Sequence, residues 1–400
     1  MEEMLMLGAI IGDIAGSIYE FNNIKSEDFP MLEDKCFFTD DSVMTVAVAE
    51  ALMNGRRDPE KTEACMIKAM KKYGKAFPNA GYGARFSAWL GNHDPKPYGS
   101  YGNGSAMRVS PVAWYFHSLE KVEKFAEISA KVSHDHPEGI KGAKAVAVAV
   151  FMARNGRDKD YIKRYMELKY HYDFSRTLDE IRPNYHFDET CQGTVPVALE
   201  AFFEADSFED TIRKAISVGG DSDTVAAIAG SIAEAFYPIP KGMAERAKSF
   251  LDKKLLNALA KWDSDMSVSP SPFEKRDILD YTEYFLTNPH TERRTIKRPG
   301  TEETVTVPEY DETMFNFIRD VVPSSYMRKD YKEILAKHEI KNYQDMIIEV
   351  SDASEVLLEA MLTVIVVGEK AHPGNIAWAA EDGILGDILF RLREYRKQES

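Results

Sequence analysis

An all-α fold with a smaller, mainly helical module at the C-terminal end is predicted from three observations. Apolar residues recur at helical spacing in one segment after another. Three of these segments, Val43 to Met53, Ala143 to Ala153 and Val225 to Phe236, are rich in Ala and apolar on nearly every face, as buried helices are. A short polar, Pro-containing stretch from Ser264 to Pro272 then breaks the pattern before helices resume.

Taken in order, Gly8 to Glu20 reads as a glycine-bearing helix packed closely on a neighbour, with Glu20 at its solvated end. Its glycines do not fit a dinucleotide fingerprint, and no strand clearly precedes them. Helices are expected over Ser42 to Asn54, Glu60 to Lys75, Glu120 to Val132 and Pro137 to Arg154. Three more are expected over Thr190 to Glu204, Phe208 to Val218 and Asp223 to Phe236. Asp58-Pro59 and His136-Pro137 are helix-start pairs. The run Ala145 to Val150 alternates like a strand, but the length and Ala content of its surroundings favour helix. The division is a main domain over residues 1–262, a linker over 263–272 and an accessory domain over 273–400. In the last, Thr295 to Pro308 alternates around Pro299-Gly300 as a hairpin does. Helices follow at Asp311 to Val321, Lys329 to His338, Ser354 to Gly368 and Asn375 to Tyr395.

Composition narrows the function. The 400 residues exceed one ordinary domain, and 44% hydrophobic with 29% charged content describes a soluble globular chain. A net charge of −15 argues against general nucleic-acid binding, which rests on Lys and Arg, but leaves room for a small phosphorylated ligand held beside a cation. Cys36, Cys65 and Cys191 are far apart and form no CxxC pair, so neither a disulfide framework nor a zinc site is expected. The acidic start does not resemble a signal peptide and no membrane span is expected. A cytoplasmic enzyme is the expectation.

The chemistry concentrates in two places that share a plan. Phe38-Thr39-Asp40-Asp41-Ser42 precedes one buried Ala-rich helix, and Gly219-Gly220-Asp221-Ser222-Asp223-Thr224 precedes another. Asp, Ser and Thr at a helix start ordinarily cap it. Two acids at each of two starts exceed what a cap requires, and crowded carboxylates repel one another. A hard divalent cation resolves the conflict, so Mg²⁺, Mn²⁺ or Ca²⁺ is favoured over zinc. Four acids and two hydroxyls suffice for a two-ion site.

A further segment, Tyr98-Gly99-Ser100-Tyr101-Gly102-Asn103-Gly104-Ser105, combines glycines with aromatic faces. Gly99, Gly102 and Gly104 permit positive φ and close approach of backbone N–H groups to phosphate, while Tyr98 and Tyr101 offer stacking faces. The plainer reading is a glycine-rich turn with solvated tyrosines. Arg108 reads equally as a phosphate contact or a bracing salt bridge, and His134 as a pocket residue or a packing histidine.

These motifs together resemble the ADP-ribosylglycohydrolase family: Gly12-Asp13 followed by Glu20, then Thr39 to Ser42, Gly102 to Arg108, Ser133-His134, and Gly219 to Thr224. The resemblance runs from Met6 to about Tyr237. It implies an orthogonal all-α bundle with two Mg²⁺ ions, or Mn²⁺ in their place, in a central cleft. Thr39, Asp40 and Asp41 would ligate from one helix start and Asp221, Asp223 and Thr224 from the other. It implies that Gly99, Ser100, Tyr101, Gly102, Asn103, Gly104 and Ser105 hold the diphosphate and adenosine, that His134 lines the distal pocket, and that Glu20 matches a mobile glutamate near the scissile bond. Ser100 and Tyr101 stand where some members carry an acid, and Asp94 is too distant to take its place. Residues after the linker lie outside the common core of the family.

The expected reaction is hydrolysis at C1″ of an ADP-ribosyl group on a protein or small conjugate, with Glu20 as general acid or base and an oxocarbenium-like transition state. One rival is an HD-type phosphohydrolase built on His134-Asp135 and His117. It is disfavoured by Pro137, which puts the pair in a loop, and by the acids it leaves unexplained. The other rival, a non-catalytic ADP-ribose reader, has less need of so many acids.

Overall fold

The structure, a computed structural model, describes residues 6–116, 118–268, 277–287, 289–297, 304–322, 324–372 and 374–399. The chain divides into two compact units, Met1–Ser271 and Pro272–Ser400. Each has its own apolar core.

The first unit is all-α. Its helices are α1 (Leu7–Gly16), α2 (Asp40–Gly55), α3 (Pro59–Ala76), α4 (Ala84–Gly91) and α5 (Gly104–Met107). Next come α6 (Ser110–Tyr115), α7 (Leu119–Lys131), α8 (Pro137–Arg154), α9 (Lys159–Tyr170) and α10 (Leu178–Ile181). The unit ends with α11 (Cys191–Glu204), α12 (Phe208–Ser217), α13 (Ser222–Phe236), α14 (Lys241–Lys248) and α15 (Lys253–Val268). The three Ala-rich segments are the buried centres of α2, α8 and α13. Small side chains there let neighbouring backbones close in, and α13 packs on α1, α8, α11 and α12.

Glycine sets the placement of α1. Gly8, Gly12 and Gly16 lie one turn apart and face Gly230, Ala226 and Asp223 of α13, so the helices run antiparallel in backbone contact. A Cβ on Gly12 would fall 2.1 Å from the Ala226 carbonyl oxygen. Packing this close brings the end of α1, with Asp13, against the start of α13, with Asp223.

The helix starts are capped as the sequence indicates at Asp58, whose carboxylate accepts from Lys61 N, and at His136, whose Nδ1 accepts from Glu138 N. The expected linker needs correction: α15 continues to Val268, because it is built on good helix formers and anchored by the buried Trp262. Ser269 to Pro272 lie outside the described residues. Several amphipathic helices that the apolar pattern had not singled out, α4, α9 and α14 among them, complete the unit.

The second unit holds α16 (Thr282–Leu286), the antiparallel hairpin β1 (Glu292–Lys297) and β2 (Thr304–Glu309), and then α17 (Glu312–Val321), α18 (Tyr331–Lys337) and α19 (Tyr343–Glu349). It closes with α20 (Glu355–Ala371), α21 (Asn375–Glu381) and α22 (Ile384–Glu399). Glu292 pairs with Glu309 and Lys297 with Thr304, while Pro299-Gly300 lies outside the described residues. The single helix expected over Asn375 to Tyr395 is two, split where Gly383 takes φ +80°. Among the described residues no helix is long and apolar enough to cross a membrane, and all three cysteines are free.

Candidate active site and metal centre

The acids at the two helix starts are not there to cap helices. At α2 the capping is done by others: Thr39 Oγ1 accepts from Asp41 N at 3.3 Å, and the buried Asp13 carboxylate reaches across from α1. Asp13 accepts from Thr39 N at 3.0 and 3.2 Å, Thr39 Oγ1 at 2.6 Å, Ser42 N at 3.1 Å and the Ser42 hydroxyl. At α13, Asp221 occupies the cap position, yet its side chain makes no capping bond. Its Oδ2 accepts instead from Asn103 Nδ2 at 2.7 Å.

The two starts converge. Thr224 Oγ1 donates to Asp41 Oδ2 at 3.3 Å. Asp41 Oδ1 and Asp223 Oδ1 are buried without a hydrogen-bond partner, a costly state for a carboxylate oxygen. Among the described residues no Lys, Arg or His forms an ion pair with Asp13, Asp40, Asp41, Asp221, Asp223 or Glu20. The electrostatics follow. Burial, then Asp13 and Asp221, push the Asp40 carboxyl up to about 8. Burial, with Asp13 and Asp40 next, holds Asp41 well above the ordinary carboxylate range, and burial with Asp221 and Asp41 does the same to Asp223. Asp13 and Asp221 are raised by burial, opposed by the hydrogen bonds they accept. Orphaned, mutually repelling oxygens with no protein cation beside them are what a divalent ion fits.

Glu20 joins this group. It lies beyond the end of α1, half-buried, with a carboxylate oxygen in a mutual 4.8 Å cluster with those of Asp221 and Asp223. Burial first, then Asp221, Asp13 and Glu189, bring its carboxyl to about 7. The neighbouring Phe21 is 79% exposed and stacks on the 45% exposed Phe187, ring centroids 6.0 Å apart.

Phe187 belongs to a loop, residues 185–190, that sequence reasoning passed over. Its partner is the glycine segment: Asn103 N donates to Glu189 O at 2.7 Å and Cys191 N to Tyr101 O at 2.9 Å. An acid, the exposed Glu189, thus stands beside Gly102-Asn103, where none exists in sequence. Asp94 is exposed and pairs with Lys96. Gly81 is a second unforeseen neighbour, its Cβ position 3.4 Å from Asp40 Oδ1.

In the glycine segment, only Gly99 takes positive φ, at +65°, with its N–H on Asp135 Oδ1 at 2.6 Å. The reading of Gly102 and Gly104 as positive-φ positions is corrected. A Cβ on Gly104 would lie 3.2 Å from His134 Nε2, and one on Gly102 would lie 3.3 Å from Ser100 Oγ. Ser100 Oγ accepts from Gly102 N at 3.2 Å, and Tyr101 is half-exposed, edge-on to His136. Ser105 is fully buried and donates to Gly139 O at 2.8 Å. Asn103 is buried, its amide hydrogens on Asp221 and Thr194.

His134 is buried beneath this segment, close to the Tyr98 ring. Burial, Arg108 and Arg85 hold it well below the usual imidazole range, so it is neutral. Arg108 fits neither expectation. It is fully buried, donates to Ser129 O at 3.0 Å and Ser133 Oγ at 2.8 Å, and forms no salt bridge among the described residues. Ser133 Oγ, which accepts from Arg108, also shares a hydrogen bond with His134 Nδ1 at 2.8 Å and so ties the imidazole to the buried guanidinium. For the phosphohydrolase rival, Asp135 is engaged with Gly99, His134 stands apart from the acid cluster, and His117 lies outside the described residues.

An all-α unit with four acids at two converging helix starts, Glu20 as a fifth beside them and a glycine-aromatic segment alongside is an arrangement of one recognisable class. The chain belongs to the ADP-ribosylglycohydrolase family, a family of hydrolases whose model matches residues 4–270. An uncharacterized protein of Archaeoglobus fulgidus is 32% identical over 39% of this chain and 56% of that one. ADP-ribosylhydrolase ARH3 of Mus musculus is 26% identical, covering 63% of this chain and 88% of its own length. ADP-ribosylarginine hydrolase Tri1 of Pseudomonas putida is 25% identical, covering 58% and 70%. A solved ADP-ribosylglycohydrolase-related protein complex aligns with a TM-score of 0.48 at 24% identity, over 65% of this chain and 96% of that one.

Proposed function

We propose that this protein hydrolyses the C1″ glycosidic bond of an ADP-ribosyl conjugate, on a protein or a small molecule, and releases ADP-ribose. The observation that carries the reading is the convergence of two acidic helix starts whose Asp41 Oδ1 and Asp223 Oδ1 are buried and unsatisfied. Thr39, Asp40 and Asp41 on one side, and Asp221, Asp223 and Thr224 on the other, would hold two Mg²⁺ ions, or Mn²⁺ in their place. Bound ions supply Lewis acidity toward the distal ribose hydroxyls and stabilise the negative charge that develops there.

The remaining work falls to the chain itself. Asp13 braces the α2 start through Thr39 and Ser42, and Asn103 braces Asp221. Glu20, whose carboxyl burial and then Asp221 raise to about 7 in the metal-free chain, is the candidate to protonate the departing acceptor or to take a proton from water. The exposed faces of Tyr101 and the backbone of Gly99 to Gly104 are the candidate seat for adenosine and diphosphate. His134, held neutral by burial, lies beneath them. The transition state at C1″ is oxocarbenium-like.

A panel of defined arginine-, serine- and otherwise linked conjugates, assayed for free ADP-ribose, tests this. Cleavage of at least one is expected. Phosphate release from nucleotides with no ADP-ribose from any conjugate would overturn it.

A further inference from the structure

Glu20 needs something to hold it. α1 ends at Gly16, so the residue lies in a turn whose own backbone does not fix the carboxylate. Three residues on, the Asn23 side chain bonds in two directions. Its Nδ2 donates to Tyr19 O at 2.8 Å and Glu20 O at 2.9 Å, which closes the turn on itself. It also donates to Gly220 O at 2.9 Å, while Asn23 Oδ1 accepts from Gly220 N at 2.8 Å. An amide that meets both the N–H and the C=O of one residue, Gly220, is a two-point match that fixes orientation as well as distance.

The partner matters. Gly219 and Gly220 take φ of +73° and +72°, and the next residue is Asp221. Lys25 reinforces the attachment, its Nζ donating to Val218 O at 2.5 Å and to Tyr185 O at 2.7 Å. The segment carrying Glu20 is therefore clasped to the turn carrying Asp221, and these two acids meet in the same cluster.

We infer that Asn23 is a positioning residue for the hydrolysis: its side chain clasps the Glu20 turn to Gly220 and so holds Glu20 in place beside Asp221. The inference rests on the function proposed above. Asn23→Asp keeps an acceptor for Gly220 N–H but cannot donate to the three carbonyls. Asn23→Ala removes both halves of the clasp.

The test is a double-mutant cycle with hydrogen exchange as its companion. Asn23→Ala and Asn23→Asp are each expected to lower kcat by about 10²-fold with KM unchanged, since a small misplacement of a catalytic group has that effect. In a Glu20→Gln background the same substitutions should lower kcat no further, because their effect passes through Glu20. A purely structural role would lower it in both backgrounds alike, and that additive result would overturn the inference. Faster exchange of the Gly220 amide is expected in Asn23→Ala whatever the turnover, and unchanged protection there would equally overturn the clasp. A wild-type chain that cleaves no conjugate is a separate result, which counts against the proposed function.

Discussion

Thr224 Oγ1 donates to Asp41 Oδ2 at 3.3 Å, joining two helix starts that stand 183 positions apart in the chain. The bond is the point at which α2 and α13 become one site. It satisfies one oxygen of Asp41 and leaves the other buried and bare, so the fold carries a charge conflict that it does not resolve by itself.

That conflict predicts the response to metal. Mg²⁺ or Mn²⁺ should raise Tm after EDTA treatment, since an ion that binds only the folded chain stabilises it. Asp223→Asn should abolish most of the rise. It should also lift the metal-free Tm by a few degrees, on the order of 1 kcal/mol, because it removes one of the repelling buried charges. Thermal melts with and without the ion check both. A metal-free Tm that falls in Asp223→Asn would mean that the carboxylate stabilises the fold.

The same acids set the pH dependence of the metal-free protein. Asp40 near 8 and Glu20 near 7 lie above their ordinary values of 3.8 and 4.5, so the folded chain retains protons that the unfolded chain releases. Stability from these groups is full below about pH 4 and is lost as pH rises to about 8. The metal-free Tm should therefore decline between about pH 5 and about pH 8, and saturating Mg²⁺ should flatten the decline. Glu234, pushed to about 8 by burial although it accepts from Leu7 N and Gly8 N, is remote from the ion and should leave part of the slope in place. Melts across this range with and without Mg²⁺ decide it.

How much of this was legible in sequence depends on the distance over which each feature is specified. The acid pairs stood out because each is a local excess over what capping needs, and the buried Ala-rich helices announced themselves by composition. Gly102 and Gly104 do not take positive φ; at Gly104 the tight neighbour is His134, thirty residues on, which no local pattern announces. Glu189 and Asn23 gave no local signal at all. They matter through backbone partners, Asn103 N for one and Gly220 for the other, that only the folded chain brings near. The last helix was read as one because a single Gly is tolerated within a helix, and only at φ +80° does Gly383 break it.

Packing and site are linked through α1. Gly12→Ala would drive a methyl group into the Ala226 carbonyl at 2.1 Å, with backbone on the opposing side and no flexible atom to yield. A loss of about 3 kcal/mol is expected. Since Asp13 is the next residue and braces Thr39 and Ser42, metal affinity should fall as well. Denaturant unfolding and a Mn²⁺ titration measure the two effects, and full stability in Gly12→Ala would refute the backbone contact.

Glu20→Gln separates proton transfer from binding. It keeps the size and hydrogen-bonding capacity of the side chain and removes the titrating group. ADP-ribose binding and the Mg²⁺-dependent Tm shift should persist while turnover falls by about 10²–10⁴-fold. Calorimetry and a single-turnover assay on one preparation give both numbers. Near-normal turnover would exclude Glu20 as the acid–base group and turn attention to Asp40.

If the two acidic helix starts form a metal-dependent site for releasing ADP-ribose, turnover must follow the ion. The most direct measurement is the rate of ADP-ribose release from a cleavable defined conjugate by the full chain, stripped with EDTA and then titrated with Mg²⁺. No release is expected from the stripped protein, recovery is expected with added Mg²⁺, and none in Asp41→Ala or Asp223→Ala. Undiminished release in EDTA, or equal recovery in the two variants, would contradict it.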